Sequence, residues 1–537
     1  MTATLFFCAC ILLLCIASSR LSSRFGIPTL LLFMLLGMLC GSDGLLGIHF
    51  AQYDFAEQIC SLALVFIMFY GGFGVNWRVA RPVAARSILL ASLGVVLTSA
   101  FTGLFCYLAL DITLLEGLLI GSVIGSTDAA SVFSILRSKN LNLKGGLASL
   151  LEIESGSNDP TSYMLTVLIL SLMSPASSVS FVPMLLKQVG FGLLFGAGVG
   201  LLAGWVLKRI SFGANGLQPI FVIAVALLSY AAPSLLGGNG YLSAYIAGIL
   251  IGNQPILHKV ELVHFFDGIT GLMQILLFFL LGLLSFPSQM PAILLPSVAI
   301  FLFLTFVSRP AAVFLLLTPF RVPLRHQVFI AFAGLRGAAS IVFAILAVIS
   351  PAYMSMDIFH IVFCICLLSV SLQGTFLPWL ARALGLVETD GSVLKTFNDY
   401  QDDSTLHLME IAVTPSHPFA GRELCEIPLP PEQLVVMIKR GDNTLIPRGH
   451  THIQAGDRLI LSVPVFRDET DVPLREVAID AAHPFAYQTI DQALLPAEEL
   501  IVAIKRGDET VVPRGQTQIL PGDVLVCSKA RASDGAS

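Results

Sequence analysis

One short polar stretch in an otherwise apolar stretch of chain has the residues to hold an alkali cation. It reads Leu151-Glu152-Ile153-Glu154-Ser155-Gly156-Ser157-Asn158-Asp159-Pro160. Ser155 and Asp159 are four residues apart and share a helix face, and Glu154 and Asn158 share the adjoining face. A carboxylate beside a hydroxyl and an amide is a set of hard oxygen ligands that suits an alkali ion. Pro160 removes a backbone donor and frees a carbonyl near residue 156. A charge held inside a bilayer is costly, so Asp159 is a functional candidate by default. A proton and a cation can compete for such a carboxylate, and either one neutralises it. Only the neutralised site crosses an apolar barrier cheaply, which enforces exchange and prevents leak.

Two other stretches set a charge among small residues: Gly125-Ser126-Thr127-Asp128-Ala129-Ala130-Ser131 and Gly334-Leu335-Arg336-Gly337-Ala338-Ala339-Ser340. Asp128-Ala129-Ala130-Ser131 echoes Gly337-Ala338-Ala339-Ser340. Matching Gly-interrupted spans in two halves of a membrane protein point to inverted repeats with two broken crossing helices. Asp128 would then offset positive half-helix N-ends, and Arg336 the negative C-ends. That reading makes both residues structural before it makes them ligands. Arg309, in Ser308-Arg309-Pro310, and Glu154 are read the same way, as members of buried ion pairs. Glu152 fits the aqueous mouth of the site. His258, His264 and His326 fall at span ends, where they either sense pH or are simply solvated.

These residues need a scaffold, and the composition supplies one. The chain has 537 residues, of which 12% are charged, against roughly 25% in an ordinary soluble protein. The deficit lies in residues 1–385. Runs long enough to cross a bilayer fall near 3–19, 26–41, 57–75, 87–110, 113–136, 149–173, 184–207, 217–236, 240–253, 265–285, 291–317, 326–349 and 358–384, about thirteen spans in all. The expected fold is an all-α polytopic membrane domain followed by small α+β modules. Met1-Thr2-Ala3-Thr4 lacks a basic n-region, so the first run is expected to be a retained span.

Lys and Arg collect in alternate loops: Arg20 and Arg24; Arg78, Arg81 and Arg86; Arg137, Lys139 and Lys144; Lys208 and Arg209; Lys259; Arg321 and Arg325; Arg382. Lys187 is the exception. The intervening loops carry Asp43, Asp54, Asp111 and Asp357 instead. Positive residues stay inside, which places the N-terminus outside and the C-terminal tail in the cytoplasm of a cell whose inner membrane holds the chain. The formal net charge of −5 and the lack of a basic run exclude a nucleic-acid partner. The cysteines are scattered, mostly in apolar runs and without a CxxC, and read as small buried hydrophobes; no metal is expected beyond the transported K⁺ or Na⁺.

Beyond a linker at 386–405, the tail repeats itself. At one constant offset, Ile438-Lys439-Arg440-Gly441-Asp442 recurs as Ile504-Lys505-Arg506-Gly507-Asp508, Pro447-Arg448-Gly449 as Pro513-Arg514-Gly515, Gly456-Asp457 as Gly522-Asp523, and His417-Pro418-Phe419-Ala420 as His483-Pro484-Phe485-Ala486. The reading is two modules, 406–464 and 473–530, before a disordered tail at 531–537. Residues 434–439 and 458–463 read as strands, Gly441-Asp442 and Gly456-Asp457 as hairpin turns, and a short helix is expected after the His-Pro-Phe segment. Modules this small need each other or a second chain to complete a core.

The two copies resemble the TrkA-C (RCK-C) regulatory domain of bacterial potassium transporters and channels. That resemblance implies dimer contacts and a small regulatory ligand, with a nucleotide the candidate; a plain dimerisation tail is the alternative. In the membrane part, Ser126-Thr127-Asp128, Glu154-Ser155-x-x-Asn158-Asp159 and Gly334-Leu335-Arg336-Gly337 resemble the signature of cation:proton antiporter-1 proteins, in the correct order and on the correct spans. Arg309-Pro310 also fits. The closest look is the bacterial NhaP-type K⁺/H⁺ antiporter with a TrkA-C tail.

The resemblance implies a homodimer whose six-helix bundles move like an elevator against a dimerisation domain. It makes Asp159 the residue that takes proton and cation in alternation, with Ser155 and the Thr127 carbonyl completing the cation site. It pairs Glu154 with Arg336. Asn158, where a second acid would stand, implies one proton per cation and electroneutral exchange. The chain departs from the family in two places: Ala129 replaces a common Pro, and Phe69-Tyr70-Gly71-Gly72-Phe73-Gly74 lacks an acid common near the end of the third span. Ion selectivity is therefore open between K⁺, Na⁺ and other cations such as ammonium. Of the rival readings, a TrkA-C-gated cation channel would need a TVGYG-type filter, and a membrane enzyme would need an intramembrane nucleophile/base pair or metal set; neither pattern occurs.

Overall fold

The computed structural model describes residues 2–25, 28–139, 141–144, 146–174, 180–209, 216–256, 259–352, 354–387, 406–415, 417–429, 433–441, 443–464, 474–480, 483–493, 499–506, 509–511 and 513–529. His258, Asp442, the Gly507-Asp508 turn, the linker beyond Val387 and the tail at 531–537 lie outside them. Contacts divide the chain into two compact units, Met1–Asp402 and Asp403–Ser537.

The first unit is helical, and every expected span has a helical counterpart. Among the described residues, seven helices are long and apolar enough to cross a membrane, and shorter apolar ones include Thr29–Cys40, Leu114–Val123, Gly240–Gly252 and Ala338–Ile349. Helix Leu147–Met173 has the length but not the hydropathy, because the polar stretch around Asp159 sits in its middle. Such a helix is satisfied only among other helices, and Glu154 and Asn158 are accordingly buried.

Two spans are broken in mid-course. Helix Leu114–Val123 gives way at 124–128 to helix Ala129–Ser138, and helix Leu324–Phe332 gives way at 333–337 to helix Ala338–Ile349. The breaks fall on the two Gly-rich, charged motifs that share the Ala-Ala-Ser echo. This is the inverted-repeat arrangement, in which unwound backbone is tolerated because it is buried in protein or lines a cavity. Among the described residues, π turns interrupt three further spans at Leu90–Gly94, Leu304–Ser308 and Ser369–Gln373. Single π turns inside α-helices often mark functional positions.

Glycine sets how closely the helices approach. A Cβ on Gly248 would lie 2.2 Å from the Phe69 carbonyl oxygen, and one on Gly72 would lie 2.2 Å from that of Tyr245. Helices Tyr53–Gly74 and Gly240–Gly252 therefore meet backbone to backbone.

In the second unit each module is a four-stranded antiparallel sheet. The strands are β1 Leu406–Ala412, β2 Leu434–Arg440, β3 Asn443–Leu445 and β4 Arg458–Pro464, then β5 Leu474–Ala478, β6 Glu499–Arg506, β7 Glu509–Val511 and β8 Asp523–Lys529. The orders are β1-β4-β2-β3 and β5-β8-β6-β7. Each copy has its own small apolar core, with Val413, Val435, Ile438, Ile453, Leu459 and Leu461 in the first.

Two expectations for the modules are corrected. Gly456-Asp457 is not a hairpin turn, because β3 and β4 are not paired. It opens β4, with Gly456 at φ +95° and Asp457 turned inward. There Asp457 accepts two bonds from Arg440, at 2.7 and 2.8 Å, and one from the Gln454 amide at 2.8 Å. Arg506 and Asp523 repeat the clamp. The short helix expected after His-Pro-Phe is, in the first copy, one 3₁₀ turn at Leu424–Glu426; Pro428 follows at once and cannot continue it.

Candidate cation site

The site forms where helix Leu147–Met173 passes the break at 124–128. Unwinding there leaves backbone groups without helical partners; Ser155 on the passing helix takes up two of them, and Asn158 and Asp159 hold the hydroxyls of Thr127 and Ser126. Ser155 Oγ donates to the Thr127 carbonyl at 2.8 Å and accepts from the Ala129 amide at 2.9 Å. Asn158 Nδ2 donates to Thr127 Oγ1 at 2.5 Å. One turn on from Ser155, Asp159 accepts from Ser126 Oγ. The sequence expectation of Ser155, Asp159 and the Thr127 carbonyl in one place thus has a concrete geometry.

Asp159, Ser155, Ser126, Thr127 and Asp128 line a cavity of about 550 Å³. Asp159 and Ser155 are half-buried, open to this space. Asn158 is fully buried behind it and is not among the lining residues. It holds Thr127 in place from the far side.

The second break closes against the first. The Asp128 amide donates to the Leu335 carbonyl at 2.8 Å. Arg336 Nη1 donates to the carbonyls of Gly125 and Ser126, each at 2.8 Å, and so neutralises the negative end of the half-helix that precedes them. The Asp128 carboxylate caps the following half-helix, accepting from the Ser131 amide at 3.1 Å and from Ser131 Oγ at 2.6 Å. Gly337 makes the crossing geometrically feasible, since a Cβ there would lie 2.4 Å from Asp128 Oδ2.

The expected partner of Glu154 is corrected. Glu154 pairs with Arg309, not Arg336, and both side chains are almost completely buried. Arg336 is taken up by the carbonyls of the other broken span. Arg309 follows directly on the π turn Leu304–Ser308, and its Nε would lie only 3.0 Å from a Cβ on Gly334. Two buried arginines competed for one buried acid, and sequence spacing cannot rank them.

Other lining groups escaped the sequence reading. Ser126 stood in the motif but was not assigned to the carboxylate it touches. Asp267, from helix Lys259–Leu283, lines the same cavity and accepts from Tyr70 Oη; Glu152, expected at the mouth of the site, lines it as well. An acid near the end of the third span is indeed missing, yet Tyr70 on that span meets an acid brought by another helix. The signal was weak, since Asp267 stands only three residues into the expected span at 265–285.

The family model for the sodium/hydrogen exchanger, transmembrane, matches residues 9–383. The chain belongs to the sodium/hydrogen exchanger family. As a sodium/hydrogen exchanger it is a membrane antiporter for a monovalent cation and protons, and not an enzyme. It is 36% identical over 449 residues to the K(+)/H(+) antiporter NhaP2 of Shewanella baltica (strain OS223), covering 82% of this chain and 77% of that one. It is 38% identical over 376 residues to the K(+)/H(+) antiporter NhaP of Alkalimonas amylolytica, covering 70% and 65%. The fold is similar to that of the sodium proton antiporter MjNhaP1 from Methanocaldococcus jannaschii at pH 8, with a TM-score of 0.63 and 23% identity over 71% of this chain and 99% of that one. The tail of this exchanger carries two TrkA-C domains, matched at 408–465 and 474–527.

Proposed function

We propose that the protein exports K⁺, with Na⁺ the next candidate, in exchange for H⁺ entering from outside, by alternating access around Asp159. The observation that carries this reading is the half-buried Asp159 carboxylate on a cavity wall, beside Ser155 and the break at Thr127. Oxygen atoms from Asp159, Ser155 and the Thr127 carbonyl form the coordinating set for a dehydrated alkali ion. Proton and cation exclude one another because both neutralise the same charge, and an unoccupied carboxylate does not cross. Asp128 and Asn158 shape the site rather than carry the ion, Asp128 by capping a half-helix and Asn158 by fastening Thr127.

One acid at the binding position, with Asn158 beside it, makes exchange one proton for one cation and electroneutral. The preference for K⁺ is supported by the names of the Shewanella and Alkalimonas relatives. Residues 1–385 form the exchanger and work as a homodimer in a bacterial inner membrane, with the N-terminus outside. The modules at 406–464 and 473–530 face the cytoplasm and regulate exchange, with a nucleotide-class ligand the candidate effector.

The test is acridine-dye dequenching in everted vesicles with K⁺, Na⁺, Li⁺ and Rb⁺, for the full chain and for a chain ending at residue 385. The proposal expects K⁺ to give the largest dequenching, and the truncated chain to exchange the same ions with altered control. A chain that dequenches with Na⁺ or Li⁺ but not with K⁺ contradicts the assignment of the cation.

A further inference from the structure

The two tail modules share one framework but differ in the chemistry set upon it. In the first, residues 423–425, at the start of the 3₁₀ turn, lie beside residues 449–452, with an antiparallel bridge between Glu423 and His452. The Leu424 amide donates to the Thr451 carbonyl at 3.1 Å, and the Cys425 amide to that of Gly449 at 2.8 Å. These contacts bring Glu423 and Cys425 alongside His450, and Glu423 alongside His452.

The donors converge. Ligand atoms of Glu423, Cys425 and His450 all lie within 4.8 Å of one another. Glu423 Oε2 is 2.9 Å from His450 Nδ1 and 3.6 Å from Cys425 Sγ. The second carboxylate oxygen, Oε1, is 3.3 Å from His452 Nε2. Cys425, His450 and His452 are exposed, so an ion in solution can reach them.

The second module is an internal control. Thr489 and Gln518 form the matching bridge, and the amides of Ile490 and Asp491 donate to the Thr517 and Gly515 carbonyls at 3.1 and 2.9 Å. The four corresponding positions hold Thr489, Asp491, Gln516 and Gln518. The backbone thus folds without a thiol or imidazole at any of them, and the fold alone does not require the first module's set.

We propose that the first TrkA-C module binds a borderline-soft divalent ion of the Zn²⁺ class through Glu423, Cys425 and His450, with His452 orienting the Glu423 carboxylate. Thiolate, imidazole and carboxylate together are the Zn²⁺ ligand types, and three protein ligands leave a fourth position for water or a substrate group. Ca²⁺ and Mg²⁺ are disfavoured, because they take oxygen ligands. The corresponding positions of the second module hold no such set. The cysteine was passed over in the sequence because its partners are not spaced as CxxC; they come from a distant segment.

The experiment uses the full-length protein in detergent under reducing conditions, without a histidine tag. Zn²⁺ is titrated against a chromogenic chelator, and Co²⁺ is followed by absorption. One saturable Zn²⁺ site per chain is expected, with a thiolate-to-Co²⁺ charge-transfer band. Cys425→Ser should remove the band, and His450→Gln should abolish the saturable site. His452→Gln should weaken Zn²⁺ binding about 10- to 100-fold, as loss of an orienting partner does. Gln already stands at both histidine positions in the second module, so these variants keep the framework. Asp491→Asn in the second module should leave binding unchanged. Absence of saturable binding in the wild type overturns the proposal. So does equal Zn²⁺ affinity in the wild type, Cys425→Ser and His450→Gln, or loss of the site in Asp491→Asn.

Discussion

Arg309 and Glu154 form an ion pair closed off from solvent, linking the span that carries a π turn at 304–308 to the helix that carries Asp159. Removing either partner leaves a buried charge uncompensated, which costs about 3–5 kcal/mol. Glu154→Gln and Arg309→Ala should each lower the yield of folded protein in the membrane and its melting temperature in detergent. The double variant Glu154→Gln/Arg309→Met should recover much of that loss. Size-exclusion profiles after heating decide it, and a double variant no better than the singles contradicts the pairing.

Gly337 should tolerate no side chain. A Cβ there meets the Asp128 carboxylate, which is itself fixed by Ser131. Gly337→Ala should reduce exchange sharply while Ala338→Gly, one residue on, has a smaller effect. Equal rates for Gly337→Ala and the wild type in the vesicle assay would show that the crossing point is looser than this geometry.

Much of this was legible in the sequence, and what was not has a physical reason. The spans follow from hydropathy and the breaks from Gly around a charge, because both are local. The contact of Ser155 with the Thr127 carbonyl was reached through the family resemblance. The partner of Glu154 was not legible, because buried arginines on two different spans have the same local signature. Asp267 was passed over because an acid near a span end reads as a loop residue until packing places it on the cavity wall. In the tail, the repeat announced two modules, but Gly456-Asp457 looks like a hairpin turn in any local reading. Only the sheet order shows that it opens a strand.

The tail modules should lose stability in acid. Arg440 holds the Asp457 carboxyl below its ordinary value of 3.8, and Arg506 does the same for Asp523. A carboxyl depressed in the folded state stabilises fully above its unfolded pKa, and that contribution fades as the pH falls through the lower folded value. Hydrogen exchange of residues 433–441 and 458–464 in the full chain should thus be flat from pH 7 to about 5, after correction for intrinsic rates, and protection should fall below about pH 4. Asp457→Asn should flatten that acid response in the first module only. An unchanged response would mean that the clamp contributes nothing.

The proposed exchange of one H⁺ for one cation at a single acid makes transport indifferent to membrane potential. A potential imposed on proteoliposomes with a thiocyanate gradient should leave the initial rate of K⁺-driven proton movement unchanged. A rate that rises with one polarity and falls with the other would require a second charge in the transport cycle, and Asp267 and Glu152, both on the cavity wall, would be the residues to examine.

The most direct test is Asp159→Asn, which keeps the shape of the side chain and an acceptor for Ser126 but removes the charge for which proton and cation are proposed to compete. Everted vesicles containing this variant at wild-type abundance, with an unaltered size-exclusion profile, should show no cation-dependent dequenching at any pH between about 6 and 9. Dequenching at the wild-type rate, with either K⁺ or Na⁺, would contradict the account.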